Sequence, residues 1–104
     1  MADKVIILAC AAGMSTSMLV TKMQNEAEAQ GKNYDIFAIS ISEVDDKVAS
    51  NHPDVLLLGP QVRYTLNELK KKFDIPVEVI AMQDYGMMNG KNVLNRAMEL
   101  MGEA

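Results

Sequence analysis

The chain has 104 residues, 49% hydrophobic and 23% charged, with 10 basic and 14 acidic side chains and a net charge of −4. That balance fits one globular domain spanning residues 1–104 and argues against disorder. An acidic surface with 5% aromatic residues lacks the positive footprint and stacking faces that nucleic-acid binding needs, and no apolar run approaches the ~20 residues that cross a bilayer.

The chain opens Met1-Ala2-Asp3-Lys4 before a short apolar run, too short for a secretory leader, so a cytoplasmic location is expected. Val5-Ile6-Ile7-Leu8-Ala9 reads as a strand buried on both faces, with Cys10 at its C-terminal end. Ala11-Ala12-Gly13-Met14 is a small-residue turn leading to Ser15-Thr16-Ser17, where Ser15 or Thr16 is expected to cap a helix reaching about Gln30. Met18, Leu19, Met23 and Ala27 form its apolar stripe, and Gly31 ends it. Tyr34 to Ser40 is a second strand, followed by a short helix to about Ser50 capped by Ser40 or Ser42. Val55 to Leu58 is a third buried strand, stopped by Gly59-Pro60. Val62, Leu66, Leu69 and Phe73 recur at helical spacing, and Val77 to Ile80 is the fourth strand. Gln83 to Gly90 reads as a loop and Lys91 to Met101 as the last helix. Alternating strands and helices predict an α/β fold: a four-stranded parallel sheet, order 2-1-3-4, with helices on both faces.

In that arrangement Cys10 lies beside the switch point, where open α/β sheets bind ligands outside the C-terminal strand ends. The loop after it enters a helix, so main-chain N–H groups at Ala11, Ala12, Gly13, Met14 and Ser15 can cradle an anion. Ser15, Thr16 and Ser17 add hydroxyl donors. The field at a helix start also favours thiolate over thiol. A buried structural cysteine is the alternative reading. One cysteine and one histidine exclude a disulfide and a zinc or iron site, and no cofactor is expected.

The architecture resembles the low-molecular-weight tyrosine phosphatases, whose loop runs cysteine, five residues, arginine, then serine or threonine. Here Thr16 stands in the arginine position, which argues against a phosphatase. The closer resemblance is to the enzyme IIB component of the sugar phosphotransferase system, lactose/cellobiose/N,N'-diacetylchitobiose family. It rests on CAAGMSTSMLV from Cys10 to Val20, DVLLLGPQVRY from Asp54 to Tyr64, and PVEVI followed by Tyr85-Gly86. The resemblance implies that Cys10 takes a phosphoryl group from a phosphohistidine on a IIA protein. It then passes that group to a cellobiose-, chitobiose- or lactose-class sugar held by a membrane IIC protein. The chain would thus be a protein-phosphocysteine sugar phosphotransferase, expected as a monomer.

Gln61 and Arg63 follow the third strand and face the same crevice; with Tyr85 they are candidates for supporting the site or a partner. For Arg63 a solvated helix turn is the favoured reading over direct contact with the phosphoryl group or a partner carboxylate. His52 sits at the opposite sheet edge, too far for a relay to Cys10. Met18, Met23, Met98 and Met101 are expected in the core, whereas Met14, Met82, Met87 and Met88 fall near the active face, where adaptable side chains suit more than one partner. A small phosphatase and a non-catalytic binding domain remain the competing classes.

Overall fold

A computed structural model of the protein describes residues 2–11 and 14–103, and at positions 14 and 15 the backbone alone. The elements in order are β1 (Lys4–Cys10), α1 (Met14–Ala29), β2 (Tyr34–Ser40), a 3-10 turn (Ile41–Glu43), α2 (Val44–Asn51) and β3 (Val55–Leu58). A 3-10 segment (Pro60–Thr65), α3 (Leu66–Lys72), β4 (Val77–Val79), α4 (Met82–Gly86) and α5 (Gly90–Leu100) follow. The sheet has the expected order β2-β1-β3-β4, with all three pairings parallel.

Its two faces separate by residue parity, because successive side chains of a strand point to opposite sides. Ile6, Leu8, Val55 and Leu57 pack under α1 and α5 with Leu19, Met23, Leu94 and Ala97. Ile7, Ala9, Leu56 and Leu58 pack on the other side with Val44, Val62 and Leu69. β1 is buried on both sides from Ile6 onward, which is why it reads as an unbroken apolar run rather than an alternating one. Each fully buried Leu or Ile contributes about 1.5–3 kcal/mol over an exposed one, so this central strand is the least replaceable part of the sheet.

The register sets the height of the site. Cys10 pairs with Ser40 on β2, and Ala9 with Leu58 on β3, so the ends of β1, β2 and β3 finish level. At the opposite edge Asp54 closes the sheet. Its backbone N–H donates to the Val5 carbonyl at 2.8 Å, and its carboxylate accepts from the Val5 N–H at 2.8 Å. His52 lies at that edge, exposed, at the C-terminal cap of α2 with a left-handed φ of 48°.

Four expectations need correction. α1 begins at Met14, so Ser15 and Thr16 lie inside its first turn and not before it as caps. Met18 is 58% exposed: it falls on the outer side of α1, while Leu19 and Met23 take the core. The segment after Gly59 is not one helix. Val62 leaves helical geometry (φ −114°, ψ 22°) inside a Pro60-led 3-10 segment that runs to Thr65, and α3 starts only at Leu66. The expected loop from Gln83 to Gly90 opens with α4, whose five residues turn Tyr85 inward.

Candidate functional site

Cys10 is an even-numbered residue of β1, so its side chain leaves the sheet on the face covered by α1, and only 4% of its surface remains exposed. Thr16, in the first turn of α1, is 1% exposed. A buried hydroxyl needs partners, and Thr16 has two. Its Oγ1 donates to Cys10 Sγ at 2.9 Å and lies 3.0 Å from Tyr85 Oη. Gln61 Nε2 donates to the same Tyr85 oxygen at 3.2 Å. Four side chains from four separate segments thus form one continuous hydrogen-bonded line ending on sulfur.

Each member is placed by its own local chemistry. Cys10 is held by the β1 ladder. Thr16 is held by the first turn of α1, where a hydroxyl facing away from water is tolerable only because of these contacts. Tyr85 sits on α4, whose backbone N–H bonds back to Ala81 at 2.9 Å, and its ring joins the core beneath α1 and α5. Gln61 follows Pro60, which lacks an N–H and suits the first position of a helical turn.

Gly59 makes room for the whole arrangement. Its N–H donates to the Ala9 carbonyl at 2.8 Å, which continues the β1–β3 pairing past the last strand residue. A Cβ there would stand 2.7 Å from Gln61 Oε1 and 3.1 Å from Cys10 Cβ. The sequence shows Gly59 as a strand stop. The level ending of β1 and β3 in the 2-1-3-4 order is the signal that puts it against Cys10.

Of the remaining sequence candidates, Ala11 and Ser17 are exposed beside the site. Ala12 and Gly13 lie outside the described residues, as do the side chains of Met14 and Ser15. Arg63 is exposed on the 3-10 segment and has no ion-pair partner among the described residues. With Pro60, Gln61, Tyr64 and Met82 it lines an open groove beside the Gln61 end of the line. Tyr64, Met82, Met87 and Met18 are all large apolar side chains left exposed. Met23 and Met98 are buried as expected, and Met88 packs partly against the core.

A separate cleft of about 210 Å³ lies between β4 and α5, lined in part by Glu78, Ile80, Asp84 and Arg96, and does not reach Cys10. Its charged groups are satisfied internally. Arg96 forms paired bonds of 2.7 Å each to Glu78, and Asp84 accepts from Asn92 at 3.1 Å. The Arg96 guanidinium holds the Glu78 carboxyl below the usual carboxylate range, against the opposing effect of burial. Asp84 is therefore a tie between α4 and α5. Among the described residues no cluster of histidine, cysteine and carboxylates could hold a metal, and no helix is long and apolar enough to cross a membrane.

Residues 5–96 match the family described as PTS system, lactose/cellobiose specific IIB subunit. The chain is 58% identical to the "PTS system galactose-specific EIIB component" of Lactococcus lactis subsp. cremoris (strain MG1363), covering 97% of this chain and 99% of that protein. It is equally 58% identical, over the same shares, to the "PTS system cellobiose-specific EIIB component" of Lactococcus lactis subsp. lactis (strain IL1403). A third relative, the "PTS system oligo-beta-mannoside-specific EIIB component" of Bacillus subtilis (strain 168), is 42% identical over 94% of this chain and 96% of its own. Among solved structures, the cellobiose-specific phosphotransferase IIB component from Borrelia burgdorferi superposes with a TM-score of 0.77 at 38% identity, over 95% of this chain and 92% of that one. The lactose-specific IIB component domain from Streptococcus pneumoniae gives the same TM-score at 17% identity, over 92% and 95%, a likeness of fold alone.

Proposed function

Because the chain belongs to the lactose/cellobiose-specific IIB family of the sugar phosphotransferase system, we propose that it carries a phosphoryl group on Cys10 between a phosphohistidine of a IIA protein and a sugar held by a membrane IIC protein. Residues 1–104 act as one domain, in the cytoplasm and as a monomer. The observation that carries the reading is the position of Cys10: the end of the central strand, at the switch point, on the face where α1 begins, with a hydroxyl aimed at sulfur.

In the loading step Sγ attacks the phosphorus of the donor. The S–P bond forms as the P–N bond breaks, the P–N electron pair stays on the imidazole, and the thiol proton ends on that ring. Imidazole is a good leaving group, so this domain needs no strong general acid. In the unloading step a sugar hydroxyl oxygen attacks phosphorus. The O–P bond forms, the S–P pair returns to sulfur, and the hydroxyl proton goes to a base of the membrane partner. The segment Ala11, Ala12, Gly13, Met14, Ser15 and Ser17 supplies main-chain N–H and hydroxyl donors to the phosphoryl oxygens.

Thr16 favours carrying over hydrolysis. An arginine at that position would clamp the transferring group and stabilise attack by water. Thr16 is uncharged, and its hydroxyl is already committed to sulfur and Tyr85. The groove with exposed Tyr64 and Met82 offers a docking surface for donor and acceptor in turn, with Arg63 presenting a charge to a partner carboxylate. The sugar is of the cellobiose, lactose or chitobiose class. Two relatives equally identical to this chain carry different sugar names, which favours the membrane partner as the selector.

The test is incubation with labelled phosphoenolpyruvate, the general carrier proteins and a cognate IIA. Acid-stable, iodine-labile label on Cys10, absent from Cys10→Ser, is the expected result. Label retained in Cys10→Ser, or failure of a small electrophile to alkylate Cys10 in the folded protein, overturns the proposal. Steady turnover of an aryl phosphate without accumulated label would make it a phosphatase.

A further inference from the structure

We infer that Gln61, Tyr85 and Thr16 form a one-way hydrogen-bond relay that fixes Thr16 as a donor to Cys10 Sγ, with Gln61 as the positioning residue that sets its direction. The inference rests on the reading of Cys10 as the phosphoryl site and adds to it Gln61 and Tyr85, which lie outside the cradle of residues 11–17.

The direction follows from proton counting. An amide nitrogen donates and does not accept, so Gln61 Nε2 occupies a lone pair of Tyr85 Oη. Tyr85 has one hydroxyl proton, and Thr16 Oγ1, 3.0 Å away, is positioned to take it. Thr16 also has one proton, which then goes to Cys10 Sγ at 2.9 Å. Were Thr16 to donate to Tyr85 instead, the buried phenol proton would have no acceptor among the described residues and sulfur would lose its donor. With the Gln61 amide nitrogen on Tyr85 Oη, only the direction toward sulfur gives each hydroxyl proton an acceptor.

A donor fixed on sulfur acts when negative charge develops there. During unloading the S–P electron pair returns to Sγ, and a preorganised hydroxyl stabilises that charge without first reorienting. Gln61 is the exposed end of the relay, in the groove with Arg63, Tyr64 and Met82, so a group that turns its amide away reaches sulfur through two buried hydroxyls. Gly59 permits this, since a side chain there would occupy the place of the Gln61 amide.

The experiment preloads the protein with labelled phosphoryl group, adds unphosphorylated IIA at saturating concentration, and follows single-turnover return of label from Cys10 to the IIA histidine. Saturation removes differences in docking. Gln61→Glu keeps the shape but accepts where glutamine donates. It draws the Tyr85 proton outward, Thr16 turns to Tyr85, and sulfur loses its donor. The expected slowing is about 10-fold, the scale of one hydrogen bond to a charged group. Tyr85→Phe removes the link but leaves Thr16 free to donate to sulfur, so it slows transfer about 3-fold. The double variant Gln61→Glu/Tyr85→Phe returns to the Tyr85→Phe rate, because the carboxylate no longer has a phenol to reverse. Gln61→Met, which neither donates nor accepts strongly, falls between wild type and Gln61→Glu, a second check should Tyr85→Phe fail to fold. A Gln61→Glu rate no slower than Gln61→Met, or a double variant as slow as Gln61→Glu alone, overturns the relay while leaving the carrier reading in place. If wild type takes no label on Cys10, the carrier reading falls and the relay with it.

Discussion

At the scale of single residues, the site is a matter of which atoms have no alternative partner. Thr16→Val keeps the volume but removes a hydroxyl that serves both Cys10 and Tyr85, and should lower unfolding stability by about 1–3 kcal/mol in urea titrations. A change near zero would mean that Tyr85 finds another partner at no cost. Gly59→Ala crowds two neighbours unequally. The Gln61 amide can swing away, but Cys10 Cβ is anchored in the sheet, so alkylation of Cys10 by a neutral electrophile should change with a stability loss of only about 1 kcal/mol. His52 tests the opposite, remote edge. A left-handed histidine outside any site should be replaced by glycine with a gain of up to about 1 kcal/mol and no effect on phosphoryl transfer. Cys10, Thr16 and the hydroxyl cluster were legible in the sequence because a small-residue loop after a buried strand has a physical meaning there. That Thr16 faces sulfur, not solvent, was not legible, since it depends on where α1 starts to within one residue. Tyr85 was reachable only through a resemblance, because a pairing across 69 positions leaves no periodic trace.

At the scale of elements, sequence reading succeeded where hydrophobic period dominates and failed where one turn of backbone decides. The strand runs at Val5, Tyr34 and Val55 and the stripe of α5 are long or apolar enough to override local ambiguity. α4 has five residues, fewer than any helical period needs to declare itself, and Gly86 and Gly90 disguise it as a loop. The spacing of Val62 to Phe73 was helical, yet Gly59-Pro60 starts the segment as a 3-10 turn that puts Gln61 beside Tyr85. Gly90 shows the same limit from the packing side. Its hypothetical Cβ would stand 2.7 Å from Lys22 Cβ and 2.9 Å from the Met23 backbone N, so α1 and α5 touch through a bare backbone. Gly90→Ala should therefore destabilise by about 1–3 kcal/mol, despite the better helix propensity of alanine. Because α1 carries Thr16 and α5 supports α4, it should also slow phosphoryl transfer. An unchanged denaturation midpoint would show that the helices can separate freely.

At the scale of the whole molecule, the ties Arg96–Glu78 and Tyr34–Glu103 each join separate elements, and they respond to opposite ends of the pH range. Arg96 on α5 grips Glu78 on β4 and lowers its carboxyl below the usual range, so this tie stabilises above the ordinary carboxylate pKa and is lost as pH falls through the lowered value. Both partners are substantially exposed, which keeps the effect small. Tyr34 supplies the alkaline counterpart. Its hydroxyl, at the start of β2, donates to Glu103 at 2.9 Å and fastens the end of the chain to the sheet. Partial burial, then the hydrogen bond to Glu103 and the nearby carboxylate charges, push its pKa from 10.0 up to about 12. The folded state thus holds the phenol proton more tightly than the unfolded chain does. The contribution is complete below the unfolded value near 10 and is lost as pH rises toward 12. The measurement is a difference, which isolates the one hydroxyl. Urea midpoints of wild type and Tyr34→Phe should differ by a constant amount at neutral pH and converge as pH climbs past 10. Tyrosinate absorbance should show one group titrating late in wild type and missing in the variant. A gap that persists unchanged through that window would mean that Tyr34 stabilises through its ring alone and that its proton plays no part in holding the end of the chain.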